Sequence, residues 1–146
     1  MVLEYAENDN LRKYLKNNFL NLTWTNKLLF LNNIAYNLRT IHKKEYVHKD
    51  LHSGNILRFN TGAVKTKITD LGLAQLINNS KSSNSSSVCG VLPYIAPEVL
   101  DGKPYTFESD VYSFGIIMVE VSTGKPPYGS VPHDENLALA IQFAMF

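Results

Sequence analysis

Cysteine and net charge are two things that this sequence has little of. A single cysteine, Cys89, stands among 146 residues, so no disulfide framework can form within the chain and a reducing compartment is expected. The 14 basic residues nearly balance the 13 acidic ones, for a formal charge of +1. Nucleic acids and anionic membranes attract concentrated positive charge, so neither kind of partner is expected.

Long apolar runs are also missing. No run approaches the roughly 18 to 20 residues of a membrane-spanning helix, and the longest candidate is interrupted by Gly115 and Glu120. Residues 1–5 lack the basic start and long apolar stretch of a secretory signal. A soluble cytoplasmic protein is therefore expected. With 45% hydrophobic residues, the chain can form the core of one domain.

Two long helices are predicted from apolar residues that recur every three or four positions. The first covers residues 23–42, and its apolar stripe is expected to be buried. That stripe consists of Trp24, Leu28, Leu31, Ala35 and Leu38, widened by Ile34 and Ile41. The second begins near residues 108–110 and ends at Thr123 and Gly124. It is expected to lie in the middle of the domain with Val111, Phe114, Ile117, Met118 and Val121 pointing inward.

Shorter elements surround these helices. A short helix is predicted from Leu11 to about residue 17, and a last helix is predicted to begin near Asp134. Residues 46–47, 56–59 and 64–68 are predicted to form small β-hairpin pieces, while residues 1–6 fit either a strand or an extended connector. Residues 78–87 contain six serines, three asparagines and no apolar side chain, which is typical of a mobile loop.

The stretch HKDLHSGNIL at residues 48–57 carries the clearest chemical signal. Asp50 and Asn55 stand five residues apart, and Asp70 follows about fifteen residues later, just before Leu71 and Gly72. Phosphoryl transfer needs a carboxylate to orient the attacking hydroxyl and oxygen ligands that hold Mg²⁺ on the phosphates. An Asp and an Asn on one tight loop, completed by a second Asp, can divide those tasks.

These residues give the sequence a resemblance to the C-terminal lobe of a eukaryotic protein kinase. Residues 1–6 resemble the hinge between the lobes, residues 48–55 the catalytic loop and residues 70–72 the metal-binding triplet. Residues 96–98 (APE) resemble the end of the activation segment, and residues 109–115 resemble the start of the central helix. The resemblance implies a mainly helical α+β fold, in which packed helices and short β-hairpins carry the catalytic and metal-binding loops. It covers residues 1–146 as a partial kinase domain, with no second domain.

The resemblance also implies roles for individual residues. Asp50 would accept or orient the proton of the substrate hydroxyl, and Asn55 and Asp70 would bind Mg²⁺ and hence the phosphates of ATP. His48 would be a structural residue of the loop. Asp110 would hold the backbone of the loop from below.

The adenine site is implied mainly by the first residues of the chain. Leu3 would occupy the gatekeeper position, and the backbones of Glu4 and Ala6 would face the adenine edge. Leu57 would pack beneath the adenine, although it is also expected to belong to the core.

Two residues of the loop depart from the family pattern. Lys49 replaces the usual Arg and cannot form a bidentate fork with phosphate. His52 stands where many serine/threonine kinases carry a Lys, and a mostly neutral His supplies less charge to the transferring phosphate. We include both with Asp50 among the catalytic candidates.

The expected activity is transfer of the ATP γ-phosphate to a protein Ser or Thr hydroxyl, with Tyr still open. Within the 146 residues there is no glycine-rich loop or ATP-binding Lys of an N-terminal lobe, so we expect the isolated chain to be inactive. The partners would be a protein substrate, ATP and an upstream kinase that acts on residues 80–87, from Ser80 to Ser87. Two alternatives stay open, a non-catalytic interaction module and a small-molecule phosphotransferase, which shares the H-x-D-x-x-x-x-N loop.

Overall fold

Helices dominate the part of the chain that the structure describes, residues 8–60, 64–77 and 88–143 of this computed structural model. The helices are α1 (Leu11–Asn18), α2 (Trp24–His42), α3 (Pro97–Leu100), α4 (Phe107–Thr123) and α5 (Glu135–Phe143). The strands are β1 (Asn8–Asn10), β2 (Tyr46–Val47), β3 (Ile56–Asn60), β4 (Val64–Ile68) and β5 (Gln75–Leu76). This is the mainly helical α+β fold predicted from the sequence. Across the described ranges, no helix is long and apolar enough to cross a membrane.

Two small antiparallel sheets bring the connections of the predicted motif side by side. β3 pairs with both β1 and β4, and Ile56 at its start lies opposite Ile68 at the end of β4. β2 pairs with β5, and Val47 lies opposite Gln75. The connection 48–55 therefore begins and ends beside the connection 69–74. The predicted elements at residues 1–6 and the serine-rich segment 78–87 lie outside the described residues.

The helices begin where short polar side chains can cap them. Asn10, Thr23 and Thr106 precede α1, α2 and α4, and each accepts a hydrogen bond from the amide three residues on. Asp134 does the same before α5. These caps confirm the predicted starts of the helices to within two residues.

The buried face of α2 agrees only in part with the predicted one. Trp24 and Leu28 are 63% and 60% exposed, and Ala35 is exposed as well. The buried residues of this helix are Lys27, Phe30, Ile34 and Leu38. Ile34 and Leu38 are buried as predicted, but the prediction was wrong for Trp24, Leu28 and Ala35, because counting apolar positions ignored a lysine that the fold turns inward.

Lys27 explains this orientation. Its ammonium group lies 3.8 Å from the centroid of the Phe19 ring and 4.9 Å from that of Trp24. It also donates a hydrogen bond of 3.3 Å to the carbonyl of Ser122, in the last turn of α4. Aromatic faces and the carbonyl end of a helix both attract cations. The charge is thus satisfied where α2 meets the end of α4.

The inward face of α4 also differs from the prediction. Ile117 and Val121 are fully buried as expected, but Val111 and Met118 are 55% and 43% exposed, and Phe114 is only half-buried. Four polar residues are buried instead, namely Ser109, Asp110, Ser113 and Glu120. Several of them hydrogen-bond to loops that pack against the helix. The helix is central because of these polar contacts as well as its apolar ones.

Two apolar clusters form the core around α4. The larger joins α1, α2, β3 and α4 and includes Leu11, Phe30, Ile34, Ile56, Tyr94 and Ile117. The smaller surrounds β2 and α3 and includes Val47, Ile95, Val99 and Tyr105. Leu51 of the connection 48–55 belongs to the larger cluster, and Val47, just before this connection, belongs to the smaller one, so the connection is attached to both.

Gly124 ends α4 in a backbone conformation that favours glycine. Its φ is +72°, and its amide donates a hydrogen bond of 2.8 Å to the carbonyl of Glu120. A Cβ at this position would overlap the Phe19 ring, which itself packs against Lys27. The glycine is needed both for the turn and for the close approach of the ring.

We predict that Gly124→Ala lowers the free energy of unfolding by about 3 kcal/mol, because backbone strain and overpacking add. The matched control is Gly102→Ala. Its φ is +83° but no heavy atom lies within 4 Å of the added Cβ, so we expect only the strain, about 1 kcal/mol. Chemical denaturation measures both, and equal losses would contradict the packing argument.

Candidate active site

Asp110 is the buried anchor of the connection 48–55. Its side chain is 1% exposed and lies in the first turn of α4. One carboxylate oxygen accepts the amide of His48 at 2.8 Å and lies 2.8 Å from His42 Nε2, while the other accepts the amide of Lys49 at 3.0 Å. A buried carboxylate is tolerated when such donors surround it. These are the loop contacts implied by the resemblance.

The backbone turns sharply at Lys49. Its φ is +70°, a region that non-glycine residues rarely adopt. Two hydrogen bonds from consecutive amides to one carboxylate hold this conformation. The Lys49 side chain points toward β5, where its ammonium donates to the side-chain oxygen of Gln75 and lies 5.3 Å from the centroid of the Tyr105 ring.

His48 is a structural residue, as the resemblance implies. It is fully buried, and its Nδ1 accepts the amide of Asp50 at 3.3 Å. Its Nε2 lies 3.1 Å from the carbonyl of Thr69, so this nitrogen carries the proton and donates. The ring thus joins the connection 48–55 to the residue before Asp70.

Asn55 positions Asp50 directly. Its Nδ2 donates to the backbone carbonyl of Asp50 at 2.9 Å and to a carboxylate oxygen, Oδ2, at 3.2 Å. Both amide protons are therefore used on Asp50, which leaves the amide oxygen of Asn55 as the atom suited to a cation. The other oxygen of Asp50, Oδ1, is buried and has no hydrogen-bond partner among the described residues.

His52 is the nearest imidazole to that oxygen. Its Nε2 lies 3.6 Å from Asp50 Oδ1, and its Nδ1 accepts the amide of Gly54 at 3.0 Å. Since Nδ1 accepts, the neutral ring carries its proton on Nε2 and directs that N–H toward Asp50. Burial lowers the pKa of His52, and the charge of Asp50 opposes this effect.

Asp70 is held near Asn55 by Thr69, the residue that precedes Asp70. Thr69 donates both its amide (2.9 Å) and its hydroxyl (3.2 Å) to the carbonyl of Asn55. Asp70 itself has φ +60° and an exposed side chain, one oxygen of which lies 3.4 Å from the amide of Gly72. The predicted trio of Asp50, Asn55 and Asp70 is therefore joined by hydrogen bonds through neighbouring residues.

The donor set fits a magnesium ion held together with phosphates. Mg²⁺ prefers oxygen ligands and usually takes only one or two carboxylates from the protein, with phosphates and water supplying the rest. An Asn amide oxygen and the exposed Asp70 carboxylate meet that description. Among the residues that the structure describes, no cluster of three or more His, Cys, Asp or Glu side chains could hold a metal alone.

Comparison with known proteins identifies the family. The protein-family model described as "Protein kinase domain" matches residues 1–145. The chain belongs to the protein kinase family. The predicted resemblance is confirmed, and the mainly helical fold is consistent with a kinase C-terminal lobe.

Several curated kinases are similar over most of this chain. A probable receptor-like protein kinase of Arabidopsis thaliana is 36% identical over 94% of the chain and 30% of its own length. Probable serine/threonine-protein kinases of Dictyostelium discoideum and Clostridium acetobutylicum are 36% and 35% identical over 90% and 97% of the chain. The matches cover 13% and 21% of those two proteins. This kinase chain thus spans less than a third of each of these relatives.

The structure does not test the remaining predicted site residues. Leu3, Glu4 and Ala6, expected at the adenine edge, lie outside the described residues, as do the serines of 80–87. Leu57 is half-buried in β3, next to the loop that carries Asn55. Its predicted place beneath the adenine stays a prediction.

Cys89 and Gly90 precede the kinase APE motif at residues 96–98, and Gly90 lies next to Asp50. Gly90 has φ +108°, and a Cβ there would lie 3.2 Å from Asp50 Oδ1. The hydroxyl of Tyr105 donates to the carbonyl of Cys89 and accepts the Cys89 amide at 3.0 Å. Sequence reasoning missed Tyr105, since nothing in its neighbourhood indicates a contact sixteen residues away.

We predict that low pH destabilises the kinase chain through His52. Because burial lowers its folded-state pKa, the unfolded state binds the proton first as the pH falls below about 6.5. This contribution to stability is complete above that pH and is lost below it. In His52→Asn, whose side chain can still accept the Gly54 amide, the melting temperature should fall less between pH 7 and 5.5.

The control for this experiment is His133→Asn, which replaces an exposed histidine far along the chain. Its melting curve should follow that of the parent at every pH. If the melting temperatures of His52→Asn and the parent fall equally between pH 7 and 5.5, the loss of stability at low pH does not come from His52.

Proposed function

We propose that this chain is the catalytic C-terminal lobe of a protein kinase that transfers the γ-phosphate of ATP to a protein hydroxyl. The observation that carries the proposal is the position of Asn55. Its side-chain amide donates twice to Asp50, and its backbone carbonyl accepts twice from Thr69, the neighbour of Asp70. One residue thereby fixes the distance between a candidate base and a candidate metal ligand.

Asp50 would orient the attacking hydroxyl. A carboxylate in this role must lie within hydrogen-bond reach of the substrate proton and must keep an oxygen free to accept it. Its Oδ2 is held by Asn55, while Oδ1 has no partner among the described residues. Asp50 is thus fixed at one oxygen, while the other, buried beside Gly90, has unused capacity to accept a hydrogen bond.

Asn55 and Asp70 would hold the metal and, through it, the phosphates. Bound Mg²⁺ would neutralise charge on the transferring phosphoryl group. The amide oxygen of Asn55 and the carboxylate of Asp70 are the groups of this chain suited to that cation. The positive φ of Asp70 turns its side chain outward, where it is exposed.

His52 and Lys49 would have different parts. The Nε2–H of neutral His52 is directed toward Asp50 and would donate a hydrogen bond to a phosphoryl oxygen or to the attacking hydroxyl. It supplies a dipole where a lysine would supply a full charge. Lys49 is engaged with Gln75 and the Tyr105 ring, so we assign it to holding the segment after Asp70 in place.

The proposed acceptor is a Ser or Thr hydroxyl. Two of the similar kinases are named as serine/threonine-protein kinases, and this motivates the proposal. The N-terminal residues Leu3, Glu4 and Ala6, together with Leu57, would contact the adenine. ATP also needs a cover and a positive clamp over its phosphates, which a kinase N-terminal lobe provides, so the 146 residues alone are proposed to be inactive.

A second candidate function is a non-catalytic interaction module. The observation that favours it is a groove of about 430 Å³ between α2 and α4, lined by the apolar residues Ala35, Leu38, Val111 and Phe114 together with Arg39, His42 and Lys43. An exposed apolar groove often marks an interaction surface. The catalytic proposal explains more of the buried polar contacts, so we favour it.

The test uses a two-lobe chain, in which the N-terminal lobe of a related kinase precedes these 146 residues. We expect it to transfer phosphate from MgATP to a generic Ser/Thr substrate, and we expect the 146 residues alone not to do so. Asp50→Asn should lower kcat by about 10² to 10⁴, because it removes the proton acceptor. Radiolabelled phosphate transfer measures this.

The matched control is Asp101→Asn, since the Asp101 side chain is 68% exposed and lies after α3. Its activity should equal that of the parent two-lobe chain. Transfer that is unaffected by Asp50→Asn, or is absent from the two-lobe chain, would contradict the proposed function.

A further inference from the structure

A continuous set of hydrogen bonds crosses the molecule behind the candidate loop. It begins at Arg12 in α1, passes through Ser53 and Tyr94, and ends at Glu120 in α4. These four residues come from distant parts of the sequence, separated by 26 to 41 positions at consecutive steps. Ser53 belongs to the motif at residues 48–55, but the sequence predicted no role for any of these four side chains.

Every hydroxyl in this set can be given a consistent direction. Tyr94 donates to a carboxylate oxygen of Glu120 at 2.7 Å. The Tyr94 oxygen then accepts from Arg12 Nη2 at 3.4 Å and from the Ser53 hydroxyl at 3.3 Å. Ser53 in turn accepts from Arg12 Nε at 3.1 Å. Each hydroxyl thus has both a donor and an acceptor, as a buried network requires.

Burial makes these contacts consequential. Ser53, Glu120 and Tyr94 are 0%, 2% and 3% exposed, while Arg12 is exposed at the end of the network. Burial and the Glu120 charge raise the pKa of Tyr94 to about 12, so its hydroxyl keeps the proton that it donates. A buried carboxylate that lost this donor would lose a major compensation for its desolvation.

The network meets the candidate loop at one residue. Ser53 lies between His52 and Asn55 and opens the turn in which the Asn55 amide donates to the His52 carbonyl at 2.9 Å. Tyr94 also packs its ring 5.9 Å from that of His52, centroid to centroid. Movement of Ser53 would therefore displace His52 and Asn55, which direct their side chains at Asp50.

We propose that Tyr94 and Glu120 are positioning residues that fix His52 and Asn55, and through them Asp50, by holding the Ser53 hydroxyl. This inference rests on the proposed phosphotransfer function. Neither residue touches the reacting groups. Each acts through Ser53, and Arg12 holds the same hydroxyl from the side of α1.

The first test is hydrogen exchange in the 146-residue chain and needs no activity. Tyr94→Phe removes the hydroxyl and keeps the ring. We expect the amides of Gly54 and Asn55, which donate to His52, to exchange at least tenfold faster. Tyr36→Phe is the matched control, because this tyrosine is 68% exposed on α2, and it should leave exchange unchanged. Unchanged exchange at both amides in Tyr94→Phe would overturn the proposal.

The second test is kinetic and uses the two-lobe chain. Tyr94→Phe, Ser53→Ala and Glu120→Gln should each lower kcat about tenfold, since small displacements of catalytic groups cost that much or more, while KM for ATP changes less than twofold. The Tyr94→Phe/Ser53→Ala double variant should be no slower than the slower single variant, because both changes break one path. Additive losses, or a lower melting temperature with normal kcat, would overturn the proposal.

The two proposals fail in distinguishable ways. If Asp50→Asn leaves transfer unaffected, the proposed function fails whatever Tyr94 does. If Asp50→Asn abolishes transfer but Tyr94→Phe changes neither kcat nor the exchange of Gly54 and Asn55, the positioning role alone fails.

Discussion

The buried carboxylate of Asp110 receives the amides of two consecutive residues, His48 and Lys49, and contacts the ring of His42. This arrangement forces the backbone at Lys49 to a φ of +70° and so determines the direction in which the next residue, Asp50, leaves the core. The buried carboxylate, the buried amide of His48 and the partly buried amide of Lys49 would each be costly if left unpaired, at about 1 to 3 kcal/mol for a fully buried neutral group and more for a charge. The loop and the helix α4 therefore stabilise each other.

From His48, which Asp110 holds, a series of hydrogen bonds leads to the other residues of the site. His48 reaches the carbonyl of Thr69, and Thr69 reaches the carbonyl of Asn55. Asn55 then holds the carboxylate of Asp50. The first two steps join the connection 48–55 to the connection 69–74, and the third lies within 48–55. The positions of the candidate base and the candidate metal ligands therefore depend on one another. Such mutual restraint would preorganise the proposed phosphotransfer site.

The sequence was informative where local chemistry decides the structure. Caps, turn residues and apolar spacing predicted the helices α1, α2, α4 and α5 and the strands β2, β3 and β4, whereas α3, β1 and β5 were missed. The spacing of Asp50, Asn55 and Asp70 led us to expect that these residues act together. The buried face of each long helix was harder to predict. Lys27 is buried because two rings and a helix-end carbonyl receive its charge, and no pattern within α2 indicates that environment. Tyr94 and Glu120 were missed for the same reason, because their partners are long-range.

The candidate site depends most on the two hydrogen bonds from the loop amides to Asp110, and NMR can detect them directly. Scalar couplings across hydrogen bonds should join the amide nitrogens of His48 and Lys49 to the side-chain carboxyl carbon of Asp110. We expect both couplings, together with amide protons that exchange as slowly as those in the buried turns of α4. If both couplings are absent and the two amides exchange as fast as exposed loop amides, Asp110 does not hold the loop and the account is contradicted.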